Sequence, residues 1–242
     1  MTTETRSITV SDIEVHIERK NIKNLHLGVY PPNGRVRVAV PLVISDDAVR
    51  LAVVGKLGWI RRQQAKFADQ PRQSARQMVS GESHYFLGQR YLLHVHEQPG
   101  KQYAALDGVH RLNLFVNPGR TTAQREAVLA RWYRQQLAEQ LLPPLLTQWQ
   151  AALGVQASAW GIKKMKTRWG SCNTVRQRVW FNLELAKKPL PCLEYVVVHE
   201  LAHLLVPNHS ADFKAVLDRH LPHWKHHREL LNQQHLAHEN WG

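Results

Sequence analysis

His199-Glu200-Leu201-Ala202-His203-Leu204-Leu205-Val206-Pro207-Asn208-His209 is a run whose spacing can bring three imidazoles together. Two histidines four apart on a helix lie about 40° from each other around the axis and about 6 Å apart along it. His199 and His203 can therefore reach one metal ion from the same face. Glu200 points to the flank, where a carboxylate can hold a metal-activated water without ligating the metal. Pro207 lacks an N–H and disfavours helical geometry at Val206, so the helix is predicted to stop there and the chain to turn. That turn can return His209 as a third ligand. Three nitrogens with an open fourth position describe a catalytic zinc, whereas a structural zinc is usually closed by four ligands.

With 15 histidines in 242 residues, chance matches to this pattern are commoner than usual, so its surroundings have to decide. The preceding Leu193-Glu194-Tyr195-Val196-Val197-Val198 and the following Leu201, Ala202, Leu204 and Leu205 predict a largely buried helix. Two histidines and a glutamate inside such a helix are costly unless something satisfies them, which favours a metal over a hydrogen-bonded pair of core histidines. Asp212, Asp218, His220 and Glu229 are competing third ligands downstream, and His209 has the better spacing. A second histidine cluster, His220, His223, His226 and His227 with His235 and His238 beyond, sits among Lys225 and Arg228 and reads as a solvated basic helix.

Upstream the chain changes character near residue 120. Residues 1–120 read as a β-hairpin-rich region with one helix. Ile8-Thr9-Val10, Ile13 to Ile17, Leu25 to Tyr30 and Val36 to Val40 alternate as strands, the last two around the turn signal Pro31-Pro32-Asn33-Gly34. Ser45-Asp46-Asp47 caps a helix to about Ala68, and further hairpins turn at Gly88-Gln89-Arg90 and Asp107-Gly108. His16, His26, His84, His94, His96 and His110 read here as ordinary strand and loop residues. Residues 121–242 hold the metal-binding part. A long helix from about Thr122 to Leu153, kinked at Pro143-Pro144, precedes strands near 158–164 and 179–185, with Met165 to Cys172 as the loop between them. The metal helix follows, then a helix capped by Ser210. This order suits an α+β, zincin-like domain in which an edge strand beside the metal cleft pairs with substrate backbone, and Trp169 to Cys172 belong near that edge. Trp169 reads equally as a cleft residue or a core aromatic.

Composition sets the outer limits. A 43% hydrophobic content with 8 tryptophans fits a globular core, and no apolar run approaches the ~20 residues of a membrane span. Met1 to Arg6 lack an apolar signal core, and the two cysteines, Cys172 and Cys192, argue against a disulfide framework, so a cytoplasmic location is expected. The net charge of +13 comes in short clusters such as Arg61-Arg62 and Lys187-Lys188. That pattern predicts at most weak, non-specific binding to nucleic acid or nucleotides.

Three segments together, Met165-Lys166-Thr167-Arg168-Trp169-Gly170-Ser171-Cys172, Tyr195 to His203 and Pro207-Asn208-His209-Ser210, resemble the YgjP-like family of predicted zinc metallopeptidases, related to the SprT-like and WLM groups. The likeness extends to Trp59-Ile60 and Trp132-Tyr133-Arg134. It implies one zinc per chain on His199, His203 and His209 and Glu200 as the catalytic carboxylate; it does not settle a substrate, for which a peptide or protein is the expectation. In the mechanism expected from these residue types, Glu200 takes the proton of a zinc-activated water as it attacks a peptide carbonyl. The oxyanion needs a further donor, for which Lys166, Arg168 and Tyr195 are candidates, Tyr195 reading also as plain core packing. Two alternatives stay open at the level of sequence. One is a metal-dependent nucleotide phosphohydrolase with Lys164, Lys166 and Arg168 on the phosphates. The other is a nucleic-acid-associated module with a structural metal.

Overall fold

A computed structural model describes residues 4–30, 34–68, 76–165 and 168–233. They form two compact units that divide near residue 74, well before the change of character read from sequence at residue 120. The physical reason is burial. Leu93, Leu112 and Leu114, from strands before residue 120, share one core with Leu193 and Val197 of the metal-site helix.

The first unit is a four-stranded sheet with two helices. Strands β1 (Glu4–Val10), β2 (Ile13–Lys20), β3 (His26–Tyr30) and β4 (Arg35–Pro41) lie in the order β1-β2-β4-β3. The outer pairs are antiparallel and β2 runs parallel to β4. Strict alternation places Val36, Val38 and Val40 on one face, where they pack with Val49, Val53 and Ile60. Those last three come from α1 (Asp46–Val54) and α2 (Leu57–Ala68), two helices where the sequence reads as one. Ser45 Oγ caps α1 by accepting from Ala48 N, and Gly55 ends it. Residues 31–33 of the expected β3–β4 turn lie outside the described residues.

The second unit begins with β5 (Ser83–Phe86), β6 (Gln89–Glu97), β7 (Tyr103–Asp107) and β8 (Arg111–Val116), in the order β5-β6-β8-β7. Its central pair is parallel and its outer pairs antiparallel, the same pattern as in the first unit. In each case a capped helix follows the fourth strand: Thr121 forms a capping box with Gln124 at the start of α3 (Thr122–Gln135). The long helix expected to Leu153 is interrupted by a π-helical stretch, Gln136–Leu141, before α4 (Leu142–Leu153). Pro143 and Pro144 sit in the first turn of α4, where a missing N–H costs nothing. One histidine of this sheet departs from the ordinary-residue reading. His84 is buried, and burial pulls its pKa down to about 4.

The elements that position the site come last. Strands β9 (Ala159–Lys163), β10 (Gly170–Asn173) and β11 (Arg178–Asn182) make a sheet in the order β10-β11-β9, so β10 is a terminal strand. Part of the segment read as a loop is therefore this edge strand, antiparallel to β11, while β9 pairs parallel to β11. The strand expected to Leu185 stops at Asn182 and tightens into a 3-10 turn, Leu183–Lys187. Helix α5 (Leu190–Ala202) follows, then α6 (Ala211–His220) and α7 (Trp224–Gln233). In α5 nine residues are buried, from Cys192 to Ala202. Each large apolar side chain among them contributes about 1.5–3 kcal/mol, so the helix is fixed by packing rather than by propensity. The mixture of separate small sheets and helices is an α+β fold.

Candidate metal centre

Helix α5 ends earlier than Pro207 alone would require. His203 is its C-cap, with φ −64° and ψ −20°, and the chain tightens through Leu204 N to Leu201 O and Leu205 N to Ala202 O, both i to i+3 bonds. Val206 N then returns to Ala202 O at 2.9 Å. Pro207 follows a turn that these bonds have already made. Ser210 restarts the chain as the cap of α6, its Oγ accepting from Phe213 N. Between these two helix ends His209 is carried back to His199 and His203.

The ligating atoms of His199, His203 and His209 all lie within 4.8 Å of one another. His199 Nε2 and His209 Nε2 are 3.0 Å apart. Tetrahedral nitrogens about 2.0–2.1 Å from a zinc ion are about 3.3 Å from each other, so this donor set fits such an ion. In two of the rings the other nitrogen is engaged. His203 Nδ1 is 3.3 Å from Val206 O, and His199 Nδ1 is 3.4 Å from the Tyr195 hydroxyl. With a proton on each Nδ1, both imidazoles present Nε2 as the free lone pair. Phe213 packs against all three rings, with centroids 5.0, 4.6 and 4.9 Å away. Burial, helped by the neighbouring His203 and His209 and by Arg228, pulls His199 down to about 3, and burial also lowers His203. Neutral imidazole is the ligating form. Asp212, Asp218, His220 and Glu229 are not part of the group, and Asp218 accepts from Trp224 Nε1 at 2.8 Å.

Glu200 lines the same cleft as this triad, with only 6% of its surface exposed. Burial pushes its carboxyl up to about 8, against an opposing pull from Arg168. Its side chain rests on Gly170, the first residue of the edge strand. A Cβ there would stand 2.6 Å from Glu200 Cγ and Oε1. Only glycine allows the strand and the carboxylate to approach so closely. Together these residues line a cleft of about 550 Å³, with Arg168 to Cys172 and with Arg228, Leu231 and Asn232 of α7.

The YgjP-like metallopeptidase domain model matches residues 23–234. The chain belongs to the YgjP-like family. A search among curated proteins finds no match. The metallopeptidase domain implies a hydrolase with a bound metal and peptide or protein substrates. No helix among the described residues is long and apolar enough to cross a membrane.

The remaining residues singled out in this YgjP-like sequence fall in different places. Trp169 packs against the core and also lines the cleft, with Lys188 Nζ 5.4 Å from its ring centre. Arg168 is exposed at the cleft. Lys166 lies outside the described residues. Tyr195 is 7% exposed and stacks on Trp224 at 6.3 Å, yet its hydroxyl reaches His199, so core packing is only part of its role.

Two features escape a sequence reading. Helix α7 is not a solvated basic helix on all sides: Trp224 and Leu231 are buried and Arg228 lines the cleft. The spacing Trp224, Arg228, Leu231 was the available signal. The second is Asn182, fully buried. Its amide donates to Met165 O at 2.9 Å and Arg168 O at 2.7 Å and accepts from Met165 N and Glu184 N. It thus clamps both ends of the segment leading into the edge strand. Replacing Asn182 by Leu leaves several partly buried backbone groups and the buried Glu184 N–H without this partner, and the midpoint of urea unfolding should fall by the equivalent of about 3 kcal/mol. A change below about 0.5 kcal/mol, the level of an ordinary surface substitution, would mean the clamp is not needed.

Proposed function

We propose that this YgjP-like protein hydrolyses peptide bonds at a zinc ion held by His199, His203 and His209, in a zincin-like site with Glu200 as general acid–base. The reading is carried by one observation: three converging imidazoles line the same cleft as a buried carboxylate that rests against an edge strand. A zinc ion supplies Lewis acidity there, to a water molecule and to the carbonyl to be cleaved. Glu200 does the proton work. One of its carboxylate oxygens takes a proton from the attacking water as the water oxygen bonds to the carbonyl carbon. The same carboxyl returns that proton to the amine nitrogen as the C–N bond breaks. The raised proton affinity that burial confers suits a group that must both accept and release a proton near neutrality.

The neighbouring residues position rather than react. Tyr195 holds the His199 ring through Nδ1, and Val206 O holds His203. β10 uses one side of its backbone on β11, and its other side offers N–H and C=O groups to an extended peptide lying across the cleft. Cys172, on the same strand, has its thiol pushed up to about 11 by burial, so it stays protonated beside the substrate.

Incubating zinc-loaded protein with a defined peptide mixture and identifying new termini by mass spectrometry tests the proposal. Cleavage should stop with a chelator and return with zinc. Intact peptides, together with pyrophosphate release from a nucleoside triphosphate in a parallel reaction, would replace it with the phosphohydrolase reading. For the ligand set, His209→Ala should weaken zinc binding by more than the roughly 10–100-fold seen on losing an outer-shell partner. Calorimetric titration measures this, and unchanged affinity would remove His209 from the centre.

A further inference from the structure

Two basic residues from different elements line the cleft. Arg168 immediately precedes Trp169 and the edge strand, and Arg228 stands one turn beyond Trp224 on α7. Both side chains belong to exposed residues, and among the described residues neither guanidinium has a carboxylate within ion-pairing distance. Among the described residues the one acidic side chain lining the cleft is Glu200, which is buried. Both charges nevertheless act inside the site: Arg168 on the Glu200 carboxyl, Arg228 on His199 and Tyr195. Elsewhere on this protein arginines commonly find acids, as Arg6 and Arg19 do at Asp46, Arg61 at Asp12 and Arg111 at Asp107.

A guanidinium is a planar fork of donors matched to a carboxylate, and it does not lose its charge at any ordinary pH. Two such forks, with no carboxylate partner among the described residues and lining the cleft that holds the reacting groups, are placed to bind anionic groups of the substrate. The overall charge of +13 acts in the same direction, because it draws anionic chains toward the protein. We propose that the cleft selects peptides bearing carboxylates close to the scissile bond, with Arg168 and Arg228 as the specificity-determining residues. The proposal rests on the peptidase reading above. The carboxylate has two sources, an Asp or Glu side chain or the C-terminus of the peptide, and Arg228 binds either by the same fork.

Three peptides on one scaffold separate these cases: one with Glu flanking the bond and an amidated C-terminus, one with Gln in its place and the same amide, and one with Gln and a free C-terminus next to the bond. kcat/KM is measured for the zinc-loaded wild type and the R168Q, R228Q and R228K variants, with zinc content and melting temperature confirming that each is folded. The Glu peptide should exceed the amidated Gln peptide by about tenfold or more, as for a charge-assisted hydrogen bond. That ratio should drop toward one in R168Q and R228Q, mainly through KM, and persist in R228K. If the peptide with the free C-terminus matches the Glu peptide, the cleft reads either carboxylate, and if it alone exceeds the amidated Gln peptide, the carboxylate the cleft reads is the chain end. Equal rates for all three peptides in the wild type overturn the proposal and leave the peptidase reading standing. Anisotropy binding of the same peptides to zinc-loaded E200Q makes the comparison without turnover. If no peptide is cut, the peptidase reading fails, and equal affinities there overturn the carboxylate preference too.

Discussion

Glu200→Gln should lower kcat for peptide hydrolysis by about 10²–10⁴-fold, the usual contribution of a general acid–base, while zinc binds at one ion per chain as before. Glutamine keeps the shape of the side chain and its seat on Gly170, so the fold and the triad are spared. What it loses is the oxygen that accepts a proton. The buried position sharpens the contrast: a carboxyl that burial pushes up to about 8 is a destabilised charge in the metal-free protein. Removing that charge should leave thermal stability unchanged or raised. Turnover and zinc content measured on one preparation decide the matter. Zinc lost together with activity would make Glu200 a ligand or a structural residue, and full activity would remove it from the chemistry.

Gly170→Ala should be nearly as damaging, although Gly170 reacts with nothing. A Cβ at that position would lie 2.6 Å from both Cγ and Oε1 of Glu200 and 2.8 Å from its Cδ. Contacts this short are not tolerated, so the carboxylate or the edge strand must move. The strand is pinned by its ladder to β11, from Gly170 opposite Phe181 to Asn173 opposite Arg178, and the carboxylate is the softer of the two. A displacement of about 1 Å at a reacting group costs about 10²-fold in rate. The expected result is a drop of that size in kcat with zinc affinity retained, because the imidazoles are not in the path of the new methyl group. Activity within a few-fold of the wild type would show that Glu200 has another place to go.

The parts of this site that are legible in the sequence are those set by local geometry. His199, Glu200, His203 and His209 fall within eleven residues, and helix periodicity followed by one turn is enough to predict that the three imidazoles meet, in a cleft that Glu200 also lines. The caps at Ser45, Thr121 and Ser210 are equally local, and two of them, Ser45 and Ser210, were expected. Gly170 and Asn182 matter for a different reason. Gly170 is thirty residues before Glu200, and only the placement of β10 over α5 turns a missing side chain into a requirement. Asn182 looks like any strand-end polar residue until the chain on either side of the 165–168 segment folds onto it. Arg228 was hidden by its own company, since neighbouring Lys225, His226 and His227 make the segment look uniformly solvated. The boundary between units is illegible for a related cause: strands in both units alternate alike, and only the shared core tells which strands belong with α5.

The central claim is an open metal centre built by three histidines, and X-ray absorption at the zinc edge of the loaded protein tests it most directly. The account predicts one zinc per chain, three imidazole nitrogens at about 2.0–2.1 Å and a light non-protein donor in the fourth position, with one imidazole lost in His209→Ala. A fourth protein ligand, a sulfur donor, or a spectrum unchanged in His209→Ala would contradict it.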